Sequence, residues 1–164
     1  MGDQRWAERP KGGNRPGCAG PVGGRPVTAR RGSVRHDVRL ACPPDVVWAL
    51  VGDPARVPEW FPGIESCVVE GSERVVTTRS GLPMPEHLVT VDDTLRRLQY
   101  RITAPMFREH LGTIDVHDLG DGTSLVVYST DAEPAALALV IGGAARAALA
   151  NLADVLVGPD PTAR

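Results

Sequence analysis

Three side chains in the second half of the chain are of types that move protons. Glu86 begins Glu86-His87-Leu88-Val89-Thr90, Tyr100 lies in Leu98-Gln99-Tyr100-Arg101-Ile102, and His110 begins His110-Leu111-Gly112-Thr113-Ile114. Each stretch alternates with period 2. If Glu86, Leu88 and Thr90 share the inner face of one strand, then Tyr100 and Ile102, and His110, Gly112 and Ile114, share the inner faces of its neighbours. Desolvation raises the pKa of a carboxyl group facing an apolar interior and so suits it to proton transfer. A histidine titrates near neutral pH, as a hydroxyl does not. Glu86, His110 and Tyr100 are therefore the candidate catalytic residues. The same placement also fits a structural role, in which Glu86 and His110 hydrogen-bond each other or a polar group of a ligand. A slip of one residue in either strand would turn one of them to solvent.

Other chemistries find less support. His36 lies on the apolar face of the first strand, and His87 and His117 point away if Glu86 and Gly112 point in. No two histidines have metal-ligand spacing, so no metal or other cofactor is expected. There is no GxGxxG, GxxxxGK[ST] or GxSxG motif, and no adjacent base singles out Ser80, Ser124 or Ser129. Cys18, Cys42 and Cys67 are odd in number and lack paired spacing, which fits a reducing compartment; Cys42 and Cys67 read as small core residues.

The elements that must position these groups follow from patterning. The 164 residues are 42% apolar and carry a net charge of −2, enough for one domain. Residues 1–33 hold eight glycines and four prolines without periodicity and are expected to be a disordered basic tail, with the remainder of the chain acidic. Such a tail is either inert or an arm for an anionic surface. With Trp6 its only aromatic, no nucleic-acid partner is expected. The absence of an apolar leader region and of a long uncharged run points to a cytoplasmic chain without a membrane span.

Val34 to Leu40 alternates as a first strand. Pro43 and Pro44 open a short helix with Val47, Leu50 and Val51 on its buried stripe, and Asp53-Pro54 opens a second short helical piece reaching about Trp60. Strand-like runs follow at about 64–70, 73–79, 86–92, 95–103, 108–118 and 123–130, separated by tight turns that make them antiparallel. After Pro134, about 23 residues carry Leu137, Ile141, Ala144, Ala148, Leu152 and Val155 at helical spacing, and 158–164 reads as a flexible end. The expected architecture is α+β: a curved antiparallel sheet of about seven strands wrapped around a long C-terminal helix, with two short helices after the first strand.

With these elements in place, residues 34–157 resemble the START-like, or SRPBCC, superfamily of helix-grip proteins. That superfamily includes polyketide cyclase/dehydrase and lipid-transport proteins, birch pollen allergens and plant abscisic acid receptors. The resemblance rests on Pro44-x-x-Val47-Trp48-x-Leu50, Trp60-x-Pro62-Gly63, Glu86-x-Leu88 with Asp92-Asp93, and Tyr100-x-Ile102. It implies a cavity for an apolar small molecule between sheet and helix. Trp60, Leu82, Pro83, Met84, Leu88, Ile102, Phe107, Ile114, Ser129 and Ile141 are its expected lining, although Trp60, like Trp48, also fits as a core anchor. His110 stands where the superfamily more often has a tyrosine.

Ser80-Gly81-Leu82-Pro83 is similar to the gate loop of the plant receptors, and equally to an ordinary turn. Glu65 stands where those receptors hold a carboxylate with lysine, and Pro105-Met106-Phe107 lacks their latch, so abscisic acid is not an expected ligand. Two functions remain open on the sequence. One is a polyketide-cyclase-like enzyme; the other is a non-catalytic carrier or sensor of a lipid, quinone or hormone-like molecule, either of them a monomer or homodimer. Gly142-Gly143 in the last helix leaves room for a bulky ligand or reflects the same compositional bias as the 17 Arg to one Lys.

Overall fold

The computed structural model describes residues 31–158; most of the expected basic tail and of the expected flexible C-terminus lies outside the described residues. Seven antiparallel strands form one sheet in the order β1-β7-β6-β5-β4-β3-β2. They are β1 Gly32–Leu40, β2 Ile64–Glu70, β3 Glu73–Thr78, β4 Pro83–Asp92, β5 Arg97–Ile102, β6 Glu109–Asp118 and β7 Ser124–Glu133. The sheet begins two residues before the apolar alternation does, because Gly32 and Ser33 continue the ladder opposite Ala132 and Asp131.

Helix α1, Pro44–Val51, buries Val47, Leu50 and Val51 as its spacing requires. The second helical piece is split. A 3-10 turn, Pro54–Arg56, is capped by the Asp53 side chain accepting from the Ala55 N–H, and α2 spans Val57–Trp60. Helix α3, Ala135–Val157, closes the domain and buries Ala138, Gly142, Ala145, Ala148, Leu149 and Leu152. By length and composition α3 would suffice to cross a membrane, but its small-residue face packs on β1 and β7 of the sheet. Gly142 sets that distance: a Cβ there would sit 2.6 Å from Val34 Cγ1. Gly143, by contrast, faces open space.

Two registers determine which residues look inward. On β4, Glu86 pairs with Ile102 and Leu88 with Tyr100, but the ladder then shifts so that Thr90 pairs with Gln99. This bulge turns Thr90 to the outer face, where its hydroxyl donates to Gln99 Oε1 at 3.1 Å; the expected inward Thr90 is thereby corrected. On β7, Tyr128 shares the inner face with Ile114 and His36, and Ser129 is left on the outer face opposite Thr113 and Arg35.

Candidate functional site

Sheet and helix part along β3, β4 and β5, leaving a cavity of about 300 Å³ walled on one side by Leu137, Val140, Ile141 and Ala144 of α3. The rest of its apolar lining includes Val57, Phe61, Ile64, Val76, Leu82, Met84, Ile102, Met106 and Phe107. Polar side chains enter from one wall. Arg74 and Glu86 face each other across the β3–β4 ladder, and Arg74 Nε donates to Glu86 Oε2 at 2.7 Å. Both side chains are nearly fully buried, at 5% and 7% exposure. Arg74 Nη1 also donates to the carbonyl oxygen of Pro54 at 3.2 Å. The guanidinium carbon lies 4.8 Å from the centroid of the Tyr100 ring, a cation–π contact between two buried side chains. The Tyr100 and Tyr128 hydroxyls are 2.5 Å apart.

A glycine makes room for this cluster. Tyr100 pairs with Gly112 across β5 and β6, and a Cβ at Gly112 would overlap the ring of Tyr100. Burial pushes the Tyr100 phenol well above its ordinary value and Tyr128 up to about 12, so both are hydroxyl donors at neutral pH. Burial also raises the pKa of Glu86, opposed by the charge and hydrogen bond of Arg74. Glu86 is thus held by its guanidinium partner and takes up a proton more readily than an exposed glutamate.

His110 is inward but not in the cavity lining. Its Nδ1 accepts from the Ile102 N–H at 3.1 Å, and its ring packs against Tyr100 and Phe107 at centroid distances of 5.3 and 5.4 Å. Burial lowers its pKa to about 4, so it is neutral at pH 7. With Nδ1 accepting, the proton lies on Nε2, which has no partner among the described residues. The expected convergence of Glu86, Tyr100 and His110 is therefore only partial: Glu86 meets Arg74, and Tyr100 touches both Arg74 and His110.

Residues 31–157 match the family described as polyketide cyclase / dehydrase and lipid transport. The chain belongs to that family. No curated protein matches it. Among solved structures, the family member is similar to the protein XoxI of Bacillus cereus, at 24% identity and TM-score 0.72 over 77% of this chain and 96% of that one. It is also similar in fold to the di-domain ARO/CYC BexL of the BE-7585A biosynthetic pathway, at 20% identity and TM-score 0.65 over 76% of this chain and 46% of that one. A norcoclaurine synthase of Thalictrum shares the fold at 17% identity and TM-score 0.62, over 77% and 94% of the two chains.

In this family member the cavity lining takes in Leu82, Met84, Ile102, Phe107 and Ile141 of the expected ligand positions, together with Glu86 and Tyr100. Trp60, Pro83, Leu88, Ile114 and Ser129 lie outside the lining. Trp60 is buried beneath Phe61, whose ring takes the cavity position. Ile114 is core, and Ser129 faces the other side of the sheet. Ser80, Gly81 and Leu82 lie in the β3–β4 connection and Pro83 opens β4; the Leu82 N–H donates to Thr78 Oγ1 at 3.0 Å and Gly81 has φ +80°. Arg74 and Tyr128 were not among the expected site residues. Arg74 was findable by folding 73–87 as a hairpin about its midpoint, Ser80, which sets it opposite Glu86. Among the described residues no cluster of three or more His, Cys, Asp or Glu could hold a metal ion.

Proposed function

We propose that this protein binds an apolar or aromatic small molecule carrying an oxygen function, with the hydrocarbon body between α3 and the sheet and the oxygen at the Arg74–Glu86–Tyr100–Tyr128 wall. The observation that carries this reading is the gathering of four buried polar side chains on one wall of an otherwise apolar cavity, the usual composition of a small-molecule site. Native against denaturing mass spectrometry of the whole chain tests it. A released apolar molecule with at least one oxygen is the expected result; a chain that is empty as isolated and takes up no apolar alcohol contradicts it.

A second reading, polyketide-cyclase-type chemistry, is favoured by Glu86 as a buried base beside two phenol donors. The Glu86 carboxylate takes a proton from the carbon between two carbonyls, and the electron pair moves onto a carbonyl oxygen that accepts from the tyrosine pair. The enolate carbon attacks a third carbonyl carbon further along the chain, whose oxygen takes the proton back from Glu86; Glu86 then takes the remaining proton of the attacking carbon and passes it to the departing hydroxyl, so that water leaves and a C=C bond forms. Holding these carbonyls in one cavity supplies much of the rate. Glu86→Gln keeps the shape and removes the base: turnover of a poly-β-ketone by the wild type and its loss in the variant supports this step. Binding without conversion in both assigns the cavity to a carrier or sensor.

A further inference from the structure

Behind the Phe107 side of the cavity lies a second pocket, of about 480 Å³ and different chemistry. Ile102 and Phe107 line both spaces, which adjoin where the β5–β6 ladder ends at Tyr100 and Gly112. The second pocket is lined by Arg31, Arg101 and Arg108, with Glu109 the one acid in its lining. Two of these arginines have carboxylate neighbours, Arg31 with Glu109 at 3.7 Å and Arg108 with Glu133 at 3.1 Å. Arg101 forms no ion pair among the described residues. A neutral His110, 5% exposed, also borders this pocket, and its Nε2–H has no acceptor among the described residues.

We propose that this arginine pocket binds the anionic group, a phosphate or carboxylate, of the molecule whose apolar body fills the main cavity, with Phe107 moving to join the two spaces. The proposal rests on the apolar-cavity reading above and names the ligand class for it: an amphiphile with a negatively charged end. Arginine suits the role because its planar fork offers parallel donors to phosphate or carboxylate oxygens. Glu109 and Glu133 offset Arg31 and Arg108, which leaves Arg101 as the cation that an anionic group would neutralise. The same anion would supply the acceptor that His110 lacks. The pocket is open to solvent, so binding at the anionic end weakens as salt rises.

The test uses the full chain and three ligands of equal chain length, 1-decanol, decanoate and decyl phosphate, titrated into wild type, Arg101→Gln, Arg108→Gln and the surface control Arg146→Gln. Decyl phosphate or decanoate is expected to bind at least about tenfold more tightly than decanol, since a hydrogen bond to a charged group is worth that factor. Each pocket substitution is expected to remove most of the advantage without changing decanol affinity, and Arg146→Gln to change nothing. The relative affinity of the two anions assigns the head group. Equal affinity for decanol and both anions, or an anion advantage unaltered by Arg101→Gln and Arg108→Gln, overturns the proposal while leaving the cavity reading intact. Failure of decanol itself to bind overturns the cavity reading instead, and this proposal with it.

Discussion

Arg74 and Glu86 are Cα partners on adjacent strands, and they carry a 2.7 Å ion pair whose two side chains are both buried in the wall of an apolar cavity. Removing two charges from water costs several kcal/mol each, and the pair recovers this only while both members are present. Arg74→Met is therefore expected to destabilise the fold by about 3–5 kcal/mol, because it leaves the Glu86 charge uncompensated. The double variant Arg74→Met/Glu86→Leu should recover most of that loss. Denaturant unfolding of the two singles and the double forms the cycle that checks this; additive losses would contradict a coupled pair.

His110 makes stability depend on pH. Its folded pKa of about 4 lies below the ordinary 6.5, so its contribution is fully present above pH 6.5 and is lost as pH falls towards 4. The loss amounts to at most about 3 kcal/mol. Glu86, raised by burial, acts in the opposite sense, its contribution being present below the unfolded carboxyl pKa and lost as pH rises through the folded one. Unfolding free energies of wild type and His110→Gln across pH 4 to 7 should therefore converge on the acid side, the variant having the flatter profile. Parallel profiles would show that another group sets the slope.

Neighbouring glycines in α3 should respond with opposite signs. Gly143→Ala adds a methyl group to open space and is expected to stabilise by about 0.5–1 kcal/mol through helix propensity. Gly142→Ala places its methyl 2.6 Å from Val34 Cγ1 and must push α3 off β1, a destabilisation of about 1–3 kcal/mol. Thermal unfolding of the two variants separates them directly. Equal effects would mean that α3 does not approach β1 as described.

Gly112→Ala tests the positioning of the polar wall without touching a charged group. Its methyl overlaps the Tyr100 ring, so Tyr100 must leave the Arg74 guanidinium or the Tyr128 hydroxyl. A change in near-ultraviolet circular dichroism and a drop in stability of about 1–3 kcal/mol are expected. An unchanged spectrum would mean that Tyr100 is not held where the structure places it.

The strands were legible wherever alternation was clean. Leu98, Tyr100 and Ile102 on β5 and Ile114 and Val116 on β6 are buried, as period 2 requires. On β3 the pattern misleads, since Val75 and Val76 are both apolar and Arg74 shares its face with Val76 rather than Val75. An arginine reads as solvated until its partner across the hairpin is known, which is why the pair was legible only from the Glu86 side. Thr90 shows a second limit, because one bulged residue reverses every face beyond it and leaves no mark in composition. His110 was legible as inward but not as capped by the Ile102 N–H, a contact between a side chain and a backbone group on a neighbouring strand.

The most direct test of a ligand site between α3 and the sheet is calorimetric titration of 1-naphthol into wild type and Ala144→Trp. Ala144 lines the cavity from the helix side, so an indole there occupies the ligand's space. The expected result is binding to wild type and at least about a tenfold loss in the variant, at a melting temperature within a few degrees of wild type. Equal affinity in two folded proteins would contradict the account, because the ligand would then be binding somewhere other than this cavity.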